Sequence, residues 1–155
     1  MLKKALTGVL LLVLSEAMGI VNASASSSFA LRLIADCNAS PSERMHLAPS
    51  REDLCVSRDV IADGSNLADV SVERDESLDA YDIHIWLDSA SAKRMSSATR
   101  KMSRIGRIGI VLDDQLISAP FIMSHVSKEM LITVPQKGEE LKEIVKAIRS
   151  SMKRP

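Results

Sequence analysis

The stretch Ile108-Gly109-Ile110-Val111-Leu112-Asp113-Asp114-Gln115-Leu116-Ile117-Ser118-Ala119-Pro120 sets the architecture of the chain. Ile108, Ile110 and Leu112 alternate with Gly109 and Val111, the two-residue period of a strand. At Asp113-Asp114 the chain can reverse, because a short Asp side chain bonds its own backbone and tolerates turn geometry. Glycine would suit the second turn position better. Leu116-Ile117-Ser118 then reads as the returning strand. Pro120 lacks a backbone donor and ends the ladder or marks an edge. The reading is an antiparallel hairpin.

Working outward, Tyr81, Ile83, Ile85 and Leu87 fall on one face of a strand and Asp82, His84 and Trp86 on the other, so one face is core and one is wet or covered. Asp88 or Ser89 can cap a following helix, in which Ala92, Met95, Ala98, Thr99 and Met102 recur at helical spacing up to about Ser103. Downstream, Met130, Ile132 and Val134 predict another strand. From Gly138 to Met152 a helix presents Leu141, Ile144, Val145, Ile148 and Met152 as one apolar stripe, with acidic residues leading and basic ones trailing. Upstream, Phe29, Leu31 and Leu33 predict a first strand. Residues 36–52 read as a polar, proline-broken loop, and Leu54 to Val56 as a short strand. Asp63-Gly64-Ser65-Asn66 is a turn signal, Val70 and Val72 predict a strand running to about Arg74, and Asp75, Glu76 and Asp79 lie in a connection. This order predicts an α+β fold with a mainly antiparallel sheet and two helices on one face. No internal repeat is present.

The amino end carries Lys3 and Lys4, an apolar run from Ala5 to Leu14, and small residues at Ala23 and Ala25. That order is a signal peptide's. The expectation is a signal peptide over 1–25 and a single domain over 26–155, periplasmic or secreted. A membrane anchor is the alternative, but the strongly apolar part is about half of the roughly 20 residues a spanning helix needs. Loss of Lys3, Lys4 and Glu16 from the chain's 20 basic and 20 acidic residues leaves 18 and 19, a formal charge near minus one. A nucleic-acid binder would show a basic excess with interleaved aromatics, and one Trp, one Tyr and two Phe are all the aromatics present. Nucleic acid is excluded as a partner, and the mature form is expected not to span a membrane.

Cys37 and Cys55 are the only cysteines and both lie in the exported part, where an oxidising compartment favours a bridge. A metal pair is the rival, but the spacing fits no zinc pattern and His46 has no second histidine beside it. His84, on the strand face opposite the apolar residues, reads as a sheet-covering side chain. Ser118, His125 and Asp113 could be named as nucleophile, base and orienter, but a triad is recognised by geometry and Ser118 lies in a plain strand. Asp113-Asp114 reads as turn chemistry, not as a calcium site, and there is no glycine-rich phosphate loop. The several methionines, among them Met95, Met102, Met123, Met130 and Met152, could furnish an adaptable apolar groove, and most of them read as core at helical or strand spacing. No cofactor is expected, and no catalytic residue.

The run Val111-Leu112-Asp113-Asp114, its hairpin and Ser118-Ala119-Pro120 resemble the head subdomain of the first large periplasmic domain of SecD, the membrane protein that assists protein export. Ile85-Trp86-Leu87-Asp88 leading into a helix with Ala92 and Thr99, and the last amphipathic helix, fit the same scheme, so that the resemblance runs from about Leu47 to Arg149. Asp114 stands where that family has a turn glycine, Ser127-Lys128-Glu129 replaces a glycine pair, and the cysteine loop is an addition. The membrane-spanning helices of that family have no counterpart in this sequence. The resemblance implies a fold and, by analogy, a mobile periplasmic head that meets polypeptide; the expectation for this chain is such a head as a stand-alone exported protein. A non-enzymatic protein-binding module linked to export or envelope assembly is therefore expected, with a periplasmic inhibitor or immunity protein as the alternative. Phe121, Ile122 and Met123, just past Pro120, are the candidate protein-binding segment. Packing of Phe121 and Met123 against the domain is the expectation, and recognition by a partner the rival.

Overall fold

The computed structural model describes residues 27–48, 50–100, 102, 106–134 and 136–152. The signal peptide assigned to 1–25 lies outside them. The elements run β1 (Phe29–Ile34), β2 (Ser42–Leu47), β3 (Glu52–Asp63), a 3-10 turn (Gly64–Asn66), β4 (Leu67–Asp75), β5 (Ala80–Leu87), α1 (Ser89–Arg100), β6 (Ile108–Leu112), β7 (Gln115–Ser118), β8 (Glu129–Val134) and α2 (Gly138–Met152). The α+β class is as read from the sequence.

The strands form two bodies. β1, β3, β2, β7 and β6 close into a five-stranded barrel, and β4, β5 and β8 form an antiparallel sheet with β5 at its centre. The hairpin of β6 and β7 turns through Asp113 and Asp114 at φ of 49° and 61°. Asp113 also ties down the start of β1, accepting the Ser28 N–H on its carboxylate at 2.7 Å and donating its own N–H to the Ser28 carbonyl at 2.8 Å. A left-handed Asp pair thus does the work that glycine does more freely.

Barrel closure explains why every residue of β6 is buried. Val111 packs inside the barrel with Val56 and Leu116. Ile108, Ile110 and Leu112 face the other way, into a core shared with Ile83, Ile85, Met95, Ile132, Leu141 and Ile148. Gly109 leaves room on the inner side, where an added Cβ would stand 3.1 Å from both Ile34 Cδ1 and Leu116 Cδ1 and would push these two side-chain ends aside. Both helices join this core on the apolar face of the β4–β5–β8 sheet.

Two expectations are corrected. Residues 36–52 are not all loop. Within them β2 pairs with β3 from Ser42↔Ser57 to Leu47↔Glu52, its Met45 and Leu47 turned to the barrel interior. And β3 is not a short strand at 54–56 but 12 residues long, because it serves two partners. It pairs with β2 through Ser57 and with β1 from Val56 to Asp63, across register shifts that let it round the barrel's corner. Cys37 and Cys55 form a disulfide with S–S 1.99 Å and Cα atoms 5.0 Å apart, fastening the β1–β2 connection to β3.

The helix ends follow local chemistry. The Asp88 carboxylate accepts the Ser91 N–H at 2.7 Å and so caps α1. Chiefly that backbone bond, and then the Ser91 hydroxyl, hold its pKa below the usual carboxylate range. A depressed carboxylate adds stability above its unfolded pKa that is lost as pH falls through the folded value. Asp88→Ala is therefore expected to cost about 1 kcal/mol at pH 7 and progressively less as pH falls below the usual carboxylate pKa, which paired denaturation curves at neutral and acid pH would measure. At the other end, α2 lies so close to the 3-10 turn that a Cβ on Gly64 would meet the Cβ and carbonyl oxygen of Ser151 at 2.5 Å. No helix among the described residues is long and apolar enough to cross a membrane.

Candidate functional site

Past β7 the chain stays extended beside the start of β6. Ile108 N–H donates to the Pro120 carbonyl at 3.1 Å, Ile122 N–H donates to the Gly106 carbonyl at 2.9 Å, and Arg107 bridges Phe121. Extended backbone sends alternate side chains to opposite sides. Ile122 is accordingly buried to 2 %, and a Cβ on Gly106 would come within 3.2 Å of its Cδ1. Phe121 and Met123 are 62 % and 75 % exposed. This reverses the expectation that these two pack into the domain, because one anchored residue between them fixes both outward.

The exposed ring is held in place. The Arg107 guanidinium lies 5.2 Å from the Phe121 ring centroid, donates from Nε to the Ala119 carbonyl at 2.7 Å, and pairs through Nη1 with Glu52 at 3.0 Å. Farther along, the Val126 N–H donates to Thr99 Oγ1 at 2.9 Å, and that buried hydroxyl in turn donates to the Met95 carbonyl of α1. The segment is pinned at both ends, so its apolar side chains are presented on an ordered backbone.

Phe121, Met123 and the 52 % exposed Leu131 line one groove of about 340 Å³, together with Glu129 and Met130 of β8. β8 pairs with β5 on one side, and among the described residues no strand pairs with its other side. An unpaired edge beside exposed apolar side chains can take up an extended chain. A larger groove of about 620 Å³ runs between β4 and α2. Its basic residues are engaged: Lys142 with Glu139, Lys146 with Glu143, and Arg149 with the Val70 carbonyl.

Among the described residues no group of three metal-ligating side chains occurs, and no hydrogen bond joins Ser118, His125 and Asp113. His46 pairs with Asp53 across the β2–β3 ladder. His84 stands on the sheet face opposite the core, with Glu73 and Glu129 at its two nitrogens. The Asp79 carboxylate, its pKa lowered first by a hydrogen bond from Lys137 and then by one from Arg74, ties the β4–β5 hairpin to the approach of α2. These are contacts that hold shape.

A small barrel and a three-stranded sheet sharing two helices, with a pinned apolar loop beside a sheet edge, define an α+β head-type domain. Residues 42–152 match the family model described as SecDF, P1 head subdomain, and the chain belongs to that family. Solved structures of the same fold include one described as a membrane component, SecDF, that enhances protein export (TM-score 0.59, 19 % identity, 84 % of this chain and 66 % of that one). Others are SecDF in a super-membrane-facing form (TM-score 0.61, 18 % identity, 84 % and 20 %) and SecDF of Thermus thermophilus, a translocon-associated membrane protein (TM-score 0.53, 20 % identity, 83 % and 20 %). The chain thus spans just under two thirds of the first and a fifth of the other two. No curated protein sequence matches it. The match begins at Ser42, so β1 and Cys37 precede it.

Proposed function

We propose that this chain is a non-enzymatic, protein-binding head exported to the periplasm or cell surroundings, which grips extended polypeptide during export or envelope assembly. The observation that carries this reading is the pair Phe121 and Met123, turned outward on a pinned backbone beside the open edge of β8. Membership of the SecDF head family supports it, as does the order of charges and small residues in 1–25. An inhibitor or immunity role finds no support in that family. An extended segment would add its backbone to β8 and lay alternate side chains against Phe121, Met123 and Leu131.

The test uses an uncharged synthetic peptide of alternating apolar and polar residues, titrated into the protein by calorimetry. Phe121→Ala with Met123→Ala is expected to weaken binding at least about tenfold, the equivalent of about 1.4 kcal/mol. Both side chains are mostly exposed, so the melting temperature should stay within about 2 °C of wild type. Equal affinity in the double variant would remove the groove from consideration.

A further inference from the structure

The second face of the β4–β5–β8 sheet has a composition of its own. Register places Asp69, Trp86 and Glu129 in one row, Ser71, His84 and Leu131 in the next, and Glu73, Asp82 and Thr133 in the third. Those nine positions hold four carboxylates and no lysine or arginine. Glu73 sits directly across from Asp82, a like-charge pair that disfavours the sheet it belongs to. Nothing among the described residues covers the face: the side chains of Glu73 and Glu129 are 75 % and 54 % exposed.

At its centre the His84 ring stacks on Trp86, centroids 5.5 Å apart and planes 18° from parallel. Glu73 Oε2 lies 3.3 Å from His84 Nε2, and Glu129 Oε1 lies 3.2 Å from Nδ1. The imidazole is held flat by carboxylates on both sides, and it props the indole in turn. At the β4–β5 hairpin end of the sheet Arg74 and Lys137 are both taken up by Asp79, and at the other end Lys128 precedes Glu129. An antiparallel sheet facing water is ordinary. One that combines four carboxylates, a like-charge cross-strand pair and a propped indole is complementary to cations, which pair with carboxylates and favour the face of an indole.

We propose that this sheet face is a docking surface for a lysine- or arginine-bearing stretch of polypeptide. Its carboxylates supply the attraction and Trp86 the ledge for a basic side chain. Glu129 and Leu131 also line the groove beside β8, so the two surfaces are contiguous. The proposal stands on charge and register and does not rest on the reading of that groove.

Trp86 is the only tryptophan, so its emission reports directly on the face. Octalysine titrated into the protein is expected to give a saturable change in Trp86 fluorescence that falls away as salt is raised to about 0.5 M, where screening shortens to a few Å. Glu73→Gln with Glu129→Gln keeps the hydrogen-bonding shape around His84 while removing two charges. It should weaken octalysine binding at least about tenfold without lowering the melting temperature, since it also relieves the repulsion between Glu73 and Asp82. Phe121→Ala with Met123→Ala should bind octalysine as wild type does, which separates this test from that of the groove. The proposal is overturned by no response to octalysine, by undiminished affinity in the Gln variant, by equal binding of an uncharged peptide that the Gln variant retains, or by sedimentation showing that a second copy of the chain occupies the face.

Discussion

Replacing Ile122 with lysine is expected to lower the free energy of unfolding by at least about 3 kcal/mol, because the isoleucine is lost from a filled site and a charge is left where water does not reach. Ile122 is 2 % exposed, packs its Cδ1 against Gly106, where an added Cβ would stand 3.2 Å from it, and sits in the same core as Ile108 and Met95. Ile122→Ala removes the same contacts without the charge and should cost about 2–4 kcal/mol. Urea denaturation of both variants checks this. If the lysine variant unfolded within about 0.5 kcal/mol of wild type, Ile122 would be a surface residue and the inward-outward order of the segment would be wrong. The order matters for function: a binding defect in an Ile122 variant would report a displaced loop, whereas one in a Phe121 or Met123 variant reports a lost contact.

The two-residue order in that segment was not visible in the sequence. Phe121, Ile122 and Met123 are all large and apolar, so no polar neighbour marks which way each one points. The decision comes from the bridge between Arg107 and Phe121, a pairing over 14 positions that leaves no periodic trace. Where one face is apolar and the other polar, reading was easy. β5 alternates from Tyr81 to Leu87, and α2 begins and ends at the residues its stripe and glycine mark. The barrel was not legible for the opposite reason. β6 is buried on both faces, and closure between β2 and β7 rests on Leu47 against Leu116, far apart in the chain. β2 itself hides behind Pro41 and a run of polar side chains, since only Met45 and Leu47 turn inward. On the open sheet face, His84 and Trp86 could be assigned from alternation alone. Their flanking by Glu73 and Glu129 needed the register of three strands.

Removing the bridge between Cys37 and Cys55 is expected to have an effect nearly as large as that of the core variant. The cross-link spans 18 positions, for which the chain-entropy model gives about 3 kcal/mol. Its location concentrates that effect. Among the described residues the backbone pairing of β2 with β7 rests on Leu47↔Leu116 and the 3.3 Å bond from Ala48 N–H to the Leu116 carbonyl, the shortest ladder of the barrel and its seam. The bridge works beside the bond from Ala35 N–H to the Cys55 carbonyl, and together they keep the β1–β2 connection on β3. Cys37→Ala isolates the cross-link, because Cys37 is exposed and its loss opens no cavity, whereas Cys55 is buried to 6 % and its replacement would. The variant, or the reduced wild type, should unfold about 3 kcal/mol more easily. Amide exchange should rise first in residues 42–47, with β5 and α2 protected for longer, since those belong to the main core rather than the seam. Equal exchange rates in oxidised and reduced protein would mean that the β2–β3 ladder holds the seam without help. Uniform acceleration across β5 and α2 as well would mean that barrel and sheet open as one cooperative unit.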